Sequence, residues 1–391
     1  MKSFISPVTV ISGPGSIARV PEEINKFGAS KVMIFADPGI VKIGLVNKLE
    51  NLLAYASIEY VIYSDLEPEP PLEVGDRALQ ALRESQADFV IGMGGGSSLD
   101  IAKAVAVLSA NDGRVQDYLN LTGTKQLTNK GLPKMLIPTT SGTGAEVTDI
   151  AVFSLETTKD VITQPLLLAD IAIVDPELTY TLPPSITAST GIDALTHAVE
   201  AFISVNATPL TDALAIDAIE RIAANIRTAV WDGANMAARQ ELSWGSLMAG
   251  LSFYNAGVSG VHALAYPLGG LFKLPHGVSN AVMLPYVFDY IWPSCMKKMA
   301  RMAQALGVNS EHLSVREAAI AAVQALNQIV LDTGVPRTLK DYQIKREDIE
   351  TLASEGIKQK RLLARSPKPY TIDDIRNVYL AAFEGSLQLG T

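Results

Sequence analysis

The sequence predicts an α/β protein of two domains: an N-terminal domain on a parallel sheet and an all-helical C-terminal domain. Three observations carry this. Short apolar runs alternate with amphipathic stretches through the first half, the pattern of parallel strands joined by helical crossovers. After Leu182-Pro183-Pro184 the two-residue periodicity disappears and a 3.6-residue period takes over. The length of 391 residues suits two domains, or three. The division is expected at residues 1–183 and 184–391, with a hinge near residues 180–186.

The elements follow in order. Residues 32–36 form an apolar strand ended by Asp37-Pro38-Gly39. Residues 41–54 have the period of an amphipathic helix, and residues 58–63 form a second strand before Glu67-Pro68-Glu69-Pro70-Pro71. Residues 75–85 are helical, with Ala78, Leu79, Ala81 and Leu82 on one face. Residues 89–93 form a third strand, running into Gly94-Gly95-Gly96. A helix over 98–110 and a strand over 134–138 come next. A strand pair around 147–153 and 161–163 and a strand at 171–174 complete the domain. In the second half, residues 191–204, 213–226, 236–249, 315–333 and 375–384 have helical periodicity. Residues 261–271 fit a buried helix. Pro267, Pro275, Pro285 and Pro293 are read as breaks in the middle of the domain. There are no internal repeats and no low-complexity tract.

Composition narrows the function. Apolar residues make up 48% of the chain, enough to bury a core, which excludes disorder. The net charge of −9 argues against non-specific nucleic-acid binding. Cys295 is the one cysteine, so a disulfide framework is excluded and a reducing compartment is expected. Residues 1–15 lack a signal-peptide core, and no run of about 18 apolar residues offers a membrane span. The expectation is a cytoplasmic protein with no nucleic-acid or membrane partner.

Two loops suggest a nucleotide site. Gly94, Gly95, Gly96, Ser97 and Ser98 lie between a strand and a helix, where glycines let backbone N–H groups approach a phosphate. The spacing is not the dinucleotide fingerprint, and a tight turn is an equal reading. Thr139-Thr140-Ser141-Gly142-Thr143-Gly144 ends the next strand and adds hydroxyls. Two such loops at the carboxyl edge of a sheet mark a ligand position. Asp37, ending the first strand at that edge, suits ribose hydroxyls and would repel a 2′-phosphate, which favours NAD over NADP. As a turn residue before Pro38-Gly39 it has a second, equal explanation.

The histidines suggest a metal. There are four in the chain. Asp193 and His197 are four apart and share a helix face. His262 and His276 sit among apolar neighbours, where an unpaired imidazole is costly. The residues alone leave a metal site and hydrogen-bonded core histidines equally open. One carboxylate and three imidazoles suit Fe²⁺ or Zn²⁺ without separating them, and an open position would make the ion a Lewis acid. His312, with polar neighbours, is expected at the surface.

The chain resembles the iron-containing (group III) alcohol dehydrogenases over nearly its whole length. The resemblance runs through Gly13-Pro14-Gly15-Ser16, residues 94–100 with Lys103, and residues 138–148. It continues through Asp175-Pro176, residues 191–200, residues 261–270 and Leu274-Pro275-His276-Gly277. It implies a Rossmann-like dinucleotide-binding domain and a helical metal-binding domain, the architecture shared with dehydroquinate synthase. NAD(H) would lie in the cleft, with a divalent metal beneath the nicotinamide, iron first and zinc second. By resemblance the metal ligands are Asp193, His197, His262 and His276. The dinucleotide is lined by Asp37, Gly94, Gly95, Gly96, Ser97, Ser98, Thr139, Thr140, Thr143, Val152, Lys159 and Leu178. The alternative for Lys159 is an exposed lysine in a charged hairpin turn. Where the family commonly has a second histidine near the nicotinamide, this chain has Tyr266. A phenol suits a neutral proton donor better than a base near neutral pH, and simple space-filling is an equal reading.

The implied activity is hydride transfer between a small primary alcohol and its aldehyde. Ile150 and Phe253 suit a short aliphatic chain. Arg365 points to an alternative, a small anionic aldehyde (sulfonate, phosphonate or carboxylate), although in a basic segment with Lys358, Lys360, Arg361 and Lys368 the ordinary reading is a solvated arginine. A dehydroquinate synthase-like lyase is a further alternative. The resemblance also implies a homodimer or a larger homo-oligomer.

Overall fold

The computed structural model describes residues 3–155 and 159–389. These form two compact units, one spanning Ser6–Tyr180 and the other residues 181–389 together with residues 3–5. The N-terminal arm joins the second unit through a reciprocal pair. The Asn255 side chain accepts from Ile5 N–H at 2.7 Å and donates to Ile5 O at 2.9 Å.

In the first unit the described strands are β1 (Thr9–Ser12), β2 (Lys31–Ala36), β3 (Glu59–Tyr63), β4 (Phe89–Gly94), β5 (Lys134–Pro138), β6 (Ile150–Ser154), β7 (Lys159–Thr163) and β8 (Ile171–Val174). Six of them form a parallel sheet in the order β1-β8-β5-β4-β2-β3. β6 and β7 pair antiparallel beside it. Side chains alternate between two cores. Met33, Phe35, Val90 and Leu136 pack into one, and Val32, Ile34, Phe89, Ile91 and Ile137 into the other. A sheet covered on both faces explains why its strands read as continuous apolar runs.

The chain steps from β2 to β3 on one side and returns to place β4 on the other side of β2. The carboxyl ends of β2 and β4 are therefore a topological switch point, where open α/β sheets bind ligands. Helix α1 (Gly96–Leu108) starts there.

Two local expectations need correction. The helix expected over 41–54 is two pieces, Pro38–Lys42 and Asn47–Tyr55. Between them Gly44 turns left-handed at φ 73°, which ends a right-handed helix. Strand β1 was not anticipated; its partner, β8, lies some 160 residues away in sequence.

The second unit is helical among its described residues. Its longer helices are α2 (Pro184–Ile203), α3 (Pro209–Trp231), α4 (Met236–Ala256), α5 (Gly260–Phe272), α6 (His276–Ile291), α7 (Met296–Ala305), α8 (Val315–Asp332) and α9 (Ile372–Glu384). Pro184 occupies the first turn of α2, where a missing N–H costs nothing. Every residue from Gly191 to Ile203 is buried, so α2 is wrapped by its neighbours. The reading of prolines as breaks fails twice. Pro267 lies inside α5 and Pro285 inside α6. Both helices are buried over most of their length, and that packing outweighs the roughly 3 kcal/mol a mid-helix proline costs. Pro275 caps the start of α6, and Pro293 sits in the short turn Trp292–Ser294.

Candidate metal centre

Asp193 and His197 stand one turn apart on α2. His262 lies in the first turn of α5, and His276 is the first residue of α6. Gly277 explains how α6 can start so close to α2. A Cβ there would lie 2.5 Å from the Ser189 carbonyl oxygen, so only glycine permits the approach.

One donor atom from each of the four residues falls within 4.8 Å of the others. His262 Nε2 is 3.1 Å from His197 Nε2 and 3.9 Å from Asp193 Oδ1, and His276 Nε2 is 3.7 Å from the same oxygen. Asp193, His197 and His262 are buried, and the His276 side chain is 31% exposed. The Asn280 amide, one turn along α6 from His276, donates to Asp193 Oδ1 at 2.7 Å.

A second carboxylate lies behind this set. Glu200 Oε2 is 2.6 Å from His262 Nδ1, while Oε1 accepts from Ser259 Oγ–H at 2.9 Å and Val261 N–H at 2.7 Å. Burial alone would raise both acids. For Asp193 the neighbouring His197, His276 and His262 and the Asn280 hydrogen bond outweigh it and hold the carboxyl below its ordinary range. For Glu200 the bonds to His262, Val261 and Ser259 do the same. Among the described residues no lysine or arginine lies within ion-pair distance of either; their charged contacts are histidines. Two buried negative charges and three imidazole donors fit a divalent cation.

The remaining expected residues of this unit fall around the set. The Phe253 ring stacks on His197 at 4.2 Å between centroids. The Tyr266 ring is 6.1 Å from that of His276. Burial, countered by Arg361, raises the Tyr266 phenol, so it stays protonated at neutral pH. Arg365 is half-buried, with its guanidinium against Gly257, where a Cβ would meet Nη1 at 2.6 Å. No carboxylate lies within ion-pair distance of it among the described residues. Burial and Arg361 lower its pKa, and Tyr266 and Glu200 raise it. His312 is exposed.

The first unit gathers part of its expected set at the switch point. Asp37 Oδ1 caps the helix that follows by accepting from Ile40 N–H at 3.1 Å. Its Oδ2 would lie 3.3 Å from a Cβ built on Gly94, and Ser98 crowds the same place at 2.7 Å. The turn reading of Asp37 is thus seen in its cap, and its other oxygen faces the glycine turn. Thr143 lies against Gly96, and Thr139 N–H donates to Gly94 O at 2.9 Å. Gly95 precedes α1 with no side chain capping the free N–H groups. Thr140 is half-buried at the end of β5. Ser97 Oγ accepts from Glu69 N–H.

The others are placed differently. Val152 N–H donates to Asp100 Oδ2 at 3.0 Å. Lys159 is not a surface lysine: its side chain is 8% exposed and pairs with Glu69 Oε1 at 2.8 Å. Leu178 is fully buried in the apolar core. Ile150 is half-buried at the start of β6, and its carbonyl accepts from Lys103.

Glu200 and Asn280 were not singled out in the sequence. A signal existed for each. Asp193, His197 and Glu200 fall at i, i+4 and i+7, and His276 and Asn280 at i and i+4, so each group shares a helix face.

Residues 7–176 match the family model for iron-containing alcohol dehydrogenase, and residues 187–383 match the C-terminal model of the same family. The long-chain-alcohol dehydrogenase 1 of Geobacillus thermodenitrificans is 54% identical over 375 residues, covering 96% of this chain and 95% of that one. A crystal structure of 1,3-propanediol oxidoreductase superposes with a TM-score of 0.94 at 37% identity, covering 98% and 100%. Sulfoacetaldehyde reductase from Bifidobacterium kashiwanohense, solved with NAD⁺, superposes with a TM-score of 0.89 at 27% identity, covering 99% and 100%.

Proposed function

Because this chain belongs to the iron-containing alcohol dehydrogenase family and is an oxidoreductase interconverting alcohols and aldehydes, we propose that it works on a small primary alcohol with NAD(H) and one divalent metal, iron before zinc. The observation that carries this is the buried Asp193–His197–His262–His276 donor set, with the Glu200 carboxylate behind it and, among the described residues, no lysine or arginine paired to either acid. These four residues would hold the metal. When bound, the metal supplies Lewis-acid stabilisation of charge on an oxygen, and the nicotinamide supplies hydride exchange.

The chain's own residues do the rest. Asp37, Gly94 to Ser98, Thr139, Thr140 and Thr143 bind the dinucleotide at the switch point. The Asp37 carboxylate accepts ribose hydroxyls and repels a 2′-phosphate. Val152 and Lys159 are assigned to the same coenzyme surface, with the buried Leu178 supporting it from the core. Phe253 shields His197 from water, and Ile150 offers an apolar side to the alcohol chain. Tyr266 donates a proton to an oxygen and does not act as a base. The 54%-identical relative is named for long-chain alcohols, which supports an aliphatic substrate.

The test is net NADH formation from NAD⁺ and a panel of primary alcohols, with protein prepared under anaerobic conditions and loaded with Fe²⁺ or Zn²⁺. A dehydroquinate synthase-like lyase would return its hydride and accumulate none. Asp193→Ala should lose both metal and turnover; unchanged activity refutes the metal assignment. Preference for NADP refutes the role given to Asp37.

A second reading rests on Arg365. A half-buried guanidinium with no carboxylate within ion-pair distance among the described residues can accept an anionic aldehyde, and one solved structure this chain resembles is a sulfoacetaldehyde reductase. We also propose a homodimer or larger homo-oligomer, tested by light scattering, and a cytoplasmic location consistent with a lone cysteine, tested by fractionation.

A further inference from the structure

We propose that Glu200 is a positioning residue that locks His262 in the one tautomer able to ligate a metal. The inference rests on the metal reading of the four-donor set. An imidazole offers a lone pair to a metal at Nε2 only when its other nitrogen carries the proton. Glu200 Oε2 lies 2.6 Å from His262 Nδ1 and accepts from its N–H, so the Nε2 lone pair faces His197, the Asn280 amide nitrogen at 3.1 Å and Asp193.

The carboxylate cannot turn away. Its other oxygen is tied to the backbone N–H of Val261 and the hydroxyl of Ser259. Val261 N–H is a fixed donor at the start of α5, and it dictates that an acceptor atom face it. Glu200 is completely buried, so no water competes for Nδ1. An outer partner of this kind sets ligand orientation and metal affinity.

Glu200→Gln separates the carboxylate from the shape. Val261 N–H, at 2.7 Å, and the Ser259 hydroxyl hold the glutamine oxygen against the longer 3.4 Å contact of the His262 backbone N–H to the other position, so the amide NH₂ faces His262 Nδ1. That nitrogen then becomes the acceptor, the proton moves to Nε2, and the lone pair toward the metal is lost. Ser259→Ala is the control, because it removes a bond to Oε1 and keeps the contact to Nδ1.

The experiment uses full-length, metal-free protein with isotope-labelled histidine. With four histidines, each ring's tautomer can be read by NMR above the ordinary imidazole pKa, His262 being assigned from a His262→Gln sample. Zn²⁺ affinity is measured by chelator competition on the same samples. The expected result is Nδ1–H at His262 in the wild type and after Ser259→Ala, and Nε2–H after Glu200→Gln. Zn²⁺ binding should weaken about 10- to 100-fold in Glu200→Gln alone. A wild-type His262 protonated at Nε2 overturns the proposal, as does a Glu200→Gln loss smaller than about tenfold. If Glu200→Gln fails to fold, the wild-type tautomer alone decides. A wild type that binds no Zn²⁺ or Fe²⁺ fails the metal reading itself, whereas equal tight binding by wild type and Glu200→Gln fails only the role of Glu200.

Discussion

Replacing Glu146 by glutamine should make the protein more stable at alkaline pH and leave it unchanged in acid. Glu146 is 2% exposed in a short turn over Ala145–Val147. Lys103 is near, but its ammonium is committed elsewhere. It pairs with Asp100 Oδ1 at 2.9 Å and donates to Ala145 O at 2.9 Å and Thr148 Oγ1 at 3.3 Å. Burial therefore dominates and pushes the Glu146 carboxyl from 4.5 up to about 7, against weaker pulls from its own backbone N–H and Lys103. The sign follows from linkage. Between the unfolded and folded values the folded chain holds a proton that the unfolded chain has released, so stability falls as pH rises through that window and stays lower above it. At about 1.4 kcal/mol per unit, the full loss is about 3 kcal/mol. Glu146→Gln removes the titration. Urea unfolding followed by far-UV circular dichroism should show equal stability near the unfolded value. The gap in favour of the variant should widen to about 3 kcal/mol by about pH 8. A difference between the two proteins that does not change with pH would refute the reasoning.

Three further outcomes are expected. Lys103→Met strands the buried Asp100 carboxylate and the carbonyls of Ala145 and Ile150; unfolding should show a loss of about 3–5 kcal/mol. Tyr266→Phe should lower kcat about 10-fold or more if the phenol donates a proton. Because its pKa is raised, the wild-type rate should show no limb from Tyr266 below its ordinary range; a limb near neutrality that vanishes in the variant contradicts this. Arg365→Ala should raise KM for anionic aldehydes about 10-fold or more and spare neutral ones, a charged contact being worth about 1.5–3 kcal/mol. Equal kinetics on anionic substrates dismisses that reading.

Much of this protein is legible in the sequence because its signals are local. The apolar runs that became β2, β4, β5 and β8 stand out because strands buried on both faces need no alternation. Asp193 and His197 point to a shared face because helix geometry fixes what lies four residues on. Gly94 to Ser98 mark a turn because only glycine allows Ser98 and Asp37 to crowd Gly94. What escaped depends on partners distant in the chain. β1 is four half-buried residues whose identity as a strand comes from β8. Pro267 and Pro285 read as helix breakers until their surroundings bury the helices that contain them.

The donor set divides along the same line. Residue types and spacings by themselves paired Asp193 with His197 and marked the loop at the sheet edge, since both follow from short-range backbone geometry, while the four-ligand set came from the family resemblance. Only the tertiary structure brought His262 and His276 to Asp193 and His197 across three helices, set the Glu200 carboxylate behind His262, and left Arg365 half-buried against Gly257. The physical reason is range. Periodicity and turn chemistry are written within a few residues, whereas burial, charge balance and the orientation of an imidazole are settled by whichever groups packing places against it.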